Sequence, residues 1–443
     1  MDHEQVRIEE DLRGIISGEV VCDDVGRSLY ATDGSLFEER PLAVVRPRST
    51  EDVAATVRWA AERGVSVHPR GGGTSLCGGP LGPGIVLDCS RFMRRILAVR
   101  EHSVRVQPGM VAAQLEVFLT RRRRGFGPDP ANAAVSTIGG MIGRDASGSR
   151  FLRHGSMRRW VESLEVVLAD GTVVELGPTA AEPPAPTEPA GGIAPVTSDR
   201  VATLAAGVAG LLARGRGVIG RGQPPTRATH GGYRLHDLER EGLVDLHRLL
   251  CGAEGTLGIV TAATLRTAGP DPATAVGLLL FDSLESAAEA AVRLLALEPS
   301  ACDLFDRRHL ALAREARPSF DLLIPPVAEA GLLVEFTADE PAECNAKLEQ
   351  ALAAMRRGRR GCIDIRRAED GHDAPKQTAR FTGLDAESCA EMYARSASLS
   401  PRATHAKPAS AVANTHAETF ILLPLRRLLR LLSDAPGVEA TPS

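Results

Sequence analysis

Residues 65–75 constrain this chain more than any other segment. They read Val-Ser-Val-His-Pro-Arg-Gly-Gly-Gly-Thr-Ser, a short strand-like run that enters three consecutive glycines and two hydroxyl residues. Adjacent glycines can take positive φ values, so that successive backbone N–H groups point to one side and form a concavity for an anion. The segment therefore predicts a strand followed by a cradle for the diphosphate of a nucleotide.

Two common phosphate-binding loops do not fit this segment. The Rossmann pattern fails because Leu76 occupies the position of the third glycine and no helical pattern follows. The Walker A pattern fails because its lysine is absent. On this segment alone, an ordinary glycine-rich hairpin turn remains open as the alternative.

Two further stretches favour a large ligand. Residues 127–130, 136–142 and 145–149 form a second region rich in glycine and small hydroxyl residues. Residues 252–261, Gly-Ala-Glu-Gly-Thr-Leu-Gly-Ile-Val-Thr, place glycines before a β-branched strand, where the backbone can approach a flat ligand. We expect the three regions to bind one large cofactor together.

With these three motifs in this order, the chain resembles the FAD-linked oxidases and dehydrogenases of the vanillyl-alcohol oxidase and p-cresol methylhydroxylase (PCMH) type. It is most similar to the branch that contains D-lactate, glycolate and D-2-hydroxyglutarate dehydrogenases. The similarity runs from about Pro41 to Thr267 and includes residues 44–48, 50–57 and 163–171. The resemblance implies an FAD cofactor, a small 2-hydroxy acid substrate, and hydride transfer to flavin N5.

The resemblance also assigns roles to particular residues. Residues 70–75 would hold the FAD pyrophosphate, the second region would line the ribityl and isoalloxazine part, and the third would complete the site from the far side. The implied FAD-binding residues are Arg70, Gly71, Gly72, Gly73, Thr74, Ser75, Pro130, Thr137, Gly140, Ser147, Gly148, Glu254, Gly258 and Val260. No catalytic residue and no metal ligand is identified.

The residue types near the cradle indicate non-covalent FAD. Relatives that attach FAD covalently through the first loop carry a histidine near the position of Thr74, and a hydroxyl cannot form that link by the same chemistry. His68 is interpreted as a partly exposed strand histidine. Cys77 has no neighbouring lysine or histidine in sequence that would lower its pKa, so it is interpreted as a small buried filler.

Apolar periodicity predicts an α+β chain. The expected domains are an N-terminal helical segment (1–37), a split two-subdomain PCMH-type FAD-binding domain (38–269) with a flexible insertion (178–196), an incomplete α/β cap (270–373) and an irregular tail with a short amphipathic helix (374–443). Helices are expected at about 2–16, 52–63, 283–297 and 341–355, the second capped by Ser49 or Thr50. Strands are expected at 43–45, 65–68, 85–87, 104–106, 276–281 and 332–336.

The cap region leaves two hypotheses open. Relatives in this branch carry an H-G-D-G-N type segment that serves substrate binding and proton removal, and residues 370–373, Asp-Gly-His-Asp, are more typical of a polar turn. The chain is either a D-2-hydroxy acid dehydrogenase or a non-catalytic or truncated FAD-binding subunit, whose partner would supply the missing cap and iron–sulfur centres. In the second case turnover by the chain alone would be weak. If the chain is active, Arg227 and His230 are the first candidates for the missing role.

Composition excludes several other classes. A net charge of -4 over 443 residues does not favour nucleic-acid binding. Eight scattered cysteines without a C-x-x-C pair argue against zinc or iron–sulfur ligation by this chain. The acidic start, followed by no apolar run, predicts neither a signal peptide nor a transmembrane span, and hence a cytoplasmic protein.

Overall fold

The computed structural model describes residues 3–181, 196–222, 232–269, 273–316, 318–357 and 361–367. The described residues form two compact units, one of residues 3–147 with 156–269 and the other of residues 148–155 with 273–367. Several sequence predictions lie outside the described residues: most of the insertion, the polar turn at 370–373, the tail with its helix, Arg227 and His230.

A mainly parallel sheet forms the first part of the first unit. Its elements are α1 (His3–Arg13), β1 (Glu19–Val21), α2 (Asp24–Leu29), β2 (Ala43–Arg46), α3 (Thr50–Glu62), β3 (Val67–Arg70) and β4 (Ile85–Asp88). The strand order is β1-β2-β4-β3, with β2, β4 and β3 parallel. Helix α3 begins where expected, since the Ser49 side chain accepts a hydrogen bond from the Asp52 amide at 3.3 Å. The carboxyl ends of β2, β3 and β4 therefore meet at one edge, where the glycine cradle begins.

An antiparallel sheet forms the second part of the first unit. The remaining strands of this unit are β5 (Ile96–Val99), β6 (Ser103–Val106), β7 (Val161–Val167), β8 (Val173–Leu176), β9 (Pro178–Ala180), β10 (Glu239–Arg240), β11 (Leu243–Asp245) and β12 (Ile259–Arg266). Five of them pair in the order β5-β6-β12-β7-β8, and three in the order β10-β11-β9. Because β9 pairs with β11, the first three residues of the predicted flexible insertion are sheet.

Helices cover this second part. They are α4 (Ala112–Thr120), α5 (Ile138–Gly143), α7 (Val196–Gly222), α8 (Leu246–Leu250) and the 3₁₀ turn Met157–Arg159. Residues including Leu115, Leu119, Ile138 and Ile142 pack into a core with the inner face of the antiparallel sheet. Helices and strands together confirm the α+β class.

The long helix α7 was not predicted from the sequence. One face, with Ala205 and the partly buried Val201 and Val208, packs against the antiparallel part of the unit, while Leu211 and Val218 are exposed. In the described part of the chain, Asp199–Gly222 is the one helix long and apolar enough to cross a membrane, by length and composition alone.

The second unit is an antiparallel sheet with helices on both faces. Its elements are α6 (Phe151–His154), β13 (Ala273–Phe281), α9 (Leu284–Leu294), β14 (Ala301–Asp306), α10 (Arg307–Ala316), β15 (Ala330–Ala338), α11 (Pro341–Arg357) and β16 (Cys362–Arg367), with 3₁₀ turns at Leu295–Leu297 and Pro318–Leu322. The order β14-β15-β13-β16, with α9 and α11 as crossovers, is ferredoxin-like. The predicted strands β13 and β15 and helices α9 and α11 are all present.

Residues 148–155 belong to the second unit although both flanking stretches belong to the first. Arg150 reaches β15, where its Nε donates to Glu335 Oε1 at 2.9 Å, and Ser300 Oγ donates to the same carboxylate oxygen at 2.7 Å. The Glu335 side chain is only 3 % exposed, so this carboxylate is held by charged and neutral donors inside the unit.

Candidate functional site

The glycine cradle at 71–75 follows β3, and its three glycines are needed for different reasons. Only Gly73 has a positive φ, of 66°, so the conformational freedom of glycine is used at one of the three positions. A Cβ atom at Gly71 would collide with Thr137 Oγ1, and one at Gly72 with the carbonyl oxygen of Val135. Two of the three glycines are thus required because the second region packs directly against the cradle.

The Arg70 side chain is bound to the N-terminal part of the unit. Its guanidinium donates to the carbonyl oxygens of Tyr30 (3.3 Å) and Thr32 (2.9 Å) and lies 5.2 Å from the centre of the Tyr30 ring. Burial lowers the pKa of Arg70. A Cβ atom at Gly73 would meet this guanidinium, so the side chain supports the turn, while the exposed Gly72 and half-buried Thr74 border the open side.

Ser75 joins the cradle to the residue that follows α5. Its buried hydroxyl oxygen accepts hydrogen bonds from the amides of Cys77 (3.2 Å) and Gly79 (3.3 Å) and from Arg144 Nη1 (3.2 Å). Arg144 is exposed, and no carboxylate pairs with it among the described residues. Sequence reasoning missed Arg144; the available signal was a single cation inside a glycine-rich region.

The second region presents a short helix to the cradle. Thr137 caps α5 by accepting a hydrogen bond from the Gly140 amide at 3.2 Å, and its side chain is buried against Gly71. Gly140 itself is exposed, and Pro130 is buried. Thr137 therefore acts as a cap and spacer, which leaves the backbone at Gly140 accessible beside the cradle.

The third region is bound to both of the others. The Glu254 amide donates to the Gly143 carbonyl at 2.9 Å, and Glu254 has a positive φ of 51°, which is uncommon for a residue with a side chain. A Cβ atom at Gly255 would collide with the Pro69 ring, and one at Gly258 would press on Val166. Glycine at these positions permits the close approach of the third region to β3 and β7.

A buried ion pair connects the second and third regions. Asp145, with a φ of 50°, accepts hydrogen bonds from Arg158 Nε (2.6 Å), the Arg158 amide (2.8 Å) and Ser156 Oγ (3.0 Å). Arg158 Nη2 continues to the Cys251 carbonyl at 2.7 Å, directly before the third region. The side chains of Asp145 and Arg158 are 1 % and 4 % exposed, so the pair is shielded from water.

The structure therefore brings together most of the residues that the resemblance implied. Residues 70–75, Thr137, Gly140, Glu254 and Gly258 belong to three regions in mutual contact, and Val260 follows on β12, opposite Val166. Ser147 lies two residues after Asp145 and is half-buried. Gly148 belongs to the second unit, where it is also half-buried.

Two residues near the cradle had uncertain roles in the sequence. His68 lies on β3 with its Nε2 2.9 Å from Ser66 Oγ, and partial burial lowers its pKa, as a strand histidine would show. Cys77 was predicted to be a buried filler, and this is wrong, because the loop turns at the surface after Ser75 and exposes the thiol. Within the part of the chain that the structure describes, no cluster of three or more metal-ligating side chains is found.

Comparison with known proteins agrees with this geometry. Residues 41–177 match the FAD binding domain family, and residues 271–398 match the family of FAD linked oxidases, C-terminal domain. D-2-hydroxyglutarate dehydrogenase of Pseudomonas putida is 35% identical over 350 residues, which cover 75% of this chain and 34% of that protein. Glycolate oxidase subunit GlcD of Bacillus subtilis is 29% identical over 383 residues, covering 84% of this chain and 67% of that protein.

A solved structure shows the same fold. Alkyldihydroxyacetonephosphate synthase superimposes with a TM-score of 0.58 at 17% identity, over 83% of this chain and 62% of the other. The chain spans about a third of the length of the D-2-hydroxyglutarate dehydrogenases that it matches. By its two matched domains and its glycine regions, the chain belongs to the FAD-linked oxidoreductases.

Proposed function

We propose that this chain is an FAD-dependent dehydrogenase that oxidises a D-2-hydroxy acid of the lactate, glycolate or 2-hydroxyglutarate type. The observation that carries the proposal is the contact of the three glycine regions, because the glycines at 71, 72 and 255 lie where a side chain would collide with a neighbouring segment. The substrate class is supported by the names of the relatives, since 2-hydroxyglutarate and glycolate are both 2-hydroxy acids.

The chain's own residues would bind and orient the cofactor. The backbone at Gly71, Gly72 and Thr74 would face the diphosphate, with Gly73 giving the turn and Ser75 holding the loop closed. Arg144 would add a positive charge at the cradle, as charge-assisted hydrogen bonds to phosphate require. Bound FAD would supply the hydride acceptor, and the substrate's hydroxyl proton needs a base that the described residues do not identify.

The other FAD-binding residues implied by the resemblance keep their implied roles in this proposal. Thr137 and Gly140 would border the ribityl and isoalloxazine part together with Ser147 and Gly148, and Pro130 would support this region from within the fold. Glu254, Gly258 and Val260 would complete the site. The iron–sulfur partner and the cytoplasmic location stay predictions. The alternative of a non-catalytic subunit gains no support, because the matched relatives are named as enzymes or as a subunit of one.

Reduction of the bound flavin tests this function directly. We expect anaerobic addition of D-2-hydroxyglutarate, D-lactate or glycolate to the FAD-loaded chain to bleach the flavin absorbance, with L-2-hydroxyglutarate and L-lactate as controls for the two chiral acids. For the two chiral acids, the D enantiomer should bleach the flavin and the L enantiomer should not, because hydride transfer needs the α-hydrogen directed at the flavin. If dithionite bleaches the flavin and none of the three acids does, the proposed substrate class is wrong.

We further expect FAD to be bound without a covalent link. The hydroxyl of Thr74 stands where a linking histidine would be needed, and His68 is engaged with Ser66 and packs against Gly82. Heat or acid precipitation should therefore release intact FAD into the supernatant, measured by absorbance and chromatography. His68→Ala should retain the same flavin content; flavin that remained in the pellet of the wild-type protein would contradict non-covalent attachment.

A further inference from the structure

A polar cavity of about 480 Å³ lies in the first unit, outside the glycine cradle. It is lined by Tyr30, Arg46, Asp88, Ser90, Arg91 and Arg94, and none of residues 71–75 contributes to it. Arg46 and Asp88 end the parallel strands β2 and β4, so the cavity opens at the carboxyl edge of the sheet. Ligands bind preferentially at that edge in open sheets of this kind.

The one carboxylate of the cavity accepts hydrogen bonds from three neighbouring donors. Asp88 accepts hydrogen bonds from Tyr30 Oη (2.6 Å), Ser90 Oγ (2.6 Å) and the Ser90 amide (2.8 Å). Burial raises the pKa of Tyr30 to about 12, so the phenol stays protonated and donates to Asp88. Asp88 is buried, and its two oxygens are directed at these three donors.

The arginines of the cavity are less completely paired. Arg46 donates to Glu19 at 3.0 Å and to the Tyr30 oxygen at 3.1 Å. Arg94 has only the neutral amide oxygen of Gln114, at 3.0 Å, and neither it nor Arg91 has a carboxylate within 4.0 Å among the described residues. Two guanidinium groups therefore border the cavity without a counter-charge.

The ring of Phe92 lies beside one of the two unpaired guanidinium groups, that of Arg91, and also beside Arg48, which does not line the cavity. The Arg91 guanidinium lies 5.7 Å from the ring centre, and that of Arg48 lies 4.1 Å from it. Stacking of this kind limits the freedom of long side chains and reduces the entropy lost when they bind an anion.

We propose that this cavity binds a small dianion of the phosphate monoester type, at a site separate from that of the flavin diphosphate. Two unpaired guanidinium groups match two negative charges, and their planar donor pairs match the oxygens of phosphate. The volume exceeds that of phosphate itself, so it accommodates a small organic group as well. The polar and charged lining does not suit an apolar ligand.

Titration of the FAD-loaded full chain with inorganic phosphate by calorimetry tests the proposal. Arg91→Gln with Arg94→Gln should weaken phosphate binding by at least roughly tenfold, since each removes a charge-assisted hydrogen bond. The matched control is Arg122→Gln, because Arg122 is also exposed and stacks on a phenylalanine, Phe118, at 3.7 Å. The control should bind phosphate as the wild type does, and all variants should keep the flavin spectrum.

Four results would overturn the proposal. Absence of phosphate binding at low ionic strength would show that the cavity holds no such ligand. An equal loss in Arg122→Gln would assign the binding to general surface charge. Phosphate binding that occurs only in FAD-free protein would assign it to the flavin site. Tighter binding of succinate than of phosphate would show that the cavity prefers a dicarboxylate.

Discussion

Gly72→Ala is expected to remove most of the FAD from the purified chain. The added Cβ atom would collide with the carbonyl oxygen of Val135, which is backbone and cannot rotate away. Either the cradle or the second region must move, and overpacking of this kind typically costs about 1–3 kcal/mol. Because that displacement falls at the proposed diphosphate site, FAD affinity should drop by roughly 10- to 100-fold. Flavin content after gel filtration and fluorescence titration with FAD measure the loss.

The control for this prediction is Gly269→Ala. Gly269 has no atom within 4 Å of the position of a Cβ and lies outside the three regions, so flavin content and affinity should be unchanged. The comparison separates a local collision from a general effect of replacing glycine. Full flavin retention by a folded Gly72→Ala protein would contradict the assignment of residues 71–75 to the diphosphate.

The sequence correctly predicted those helices and strands whose formation depends on the residue pattern of a single segment. Helix α3 follows its serine cap, and β2, β4 and β6 occur where short β-branched runs predicted them. Helices α9 and α11 likewise follow amphipathic runs in the second unit. In each case the pattern of a single segment contained the information.

Helix α7 shows where such reasoning failed. It contains five glycines before its last residue, at 207, 210, 215, 217 and 220, and each costs about 1 kcal/mol relative to alanine in a helix interior. A sequence pattern with so many glycines does not favour a helix. Packing of its apolar face against the antiparallel part of the unit compensates, and this tertiary contact cannot be derived from the segment itself.

The candidate site also contains some features that the sequence revealed and others that it did not. The glycine regions were recognisable from their composition, whereas the reason for Gly71 and Gly72 is contact with residues more than 60 positions away. Arg144 approaches Ser75 across 69 positions, and Arg158 reaches Cys251 across 93. A single sequence does not reveal such pairings, because only the folded chain brings these residues together.

Arg158→Met is expected to destabilise the first unit by about 3–5 kcal/mol, because it leaves the buried Asp145 carboxylate without its counter-charge. The methionine retains much of the apolar volume but makes neither of the two hydrogen bonds of the guanidinium, to Asp145 and to the Cys251 carbonyl, although the backbone amide still donates to Asp145. Urea unfolding followed by circular dichroism measures the free energy. FAD should also bind more weakly, because the link from the second region to the third is lost.

Two variants distinguish charge burial from a general effect of losing an arginine. Arg200→Met breaks an ion pair with Asp170 in which both side chains are 49% exposed, so the change should be about 0–1 kcal/mol. Asp145→Asn combined with Arg158→Met removes both buried charges and keeps a side chain that tolerates the positive φ at 145. The double variant should therefore be more stable than Arg158→Met alone. If it is less stable, the cost does not arise from an unpaired buried carboxylate, and the ion pair acts mainly through packing.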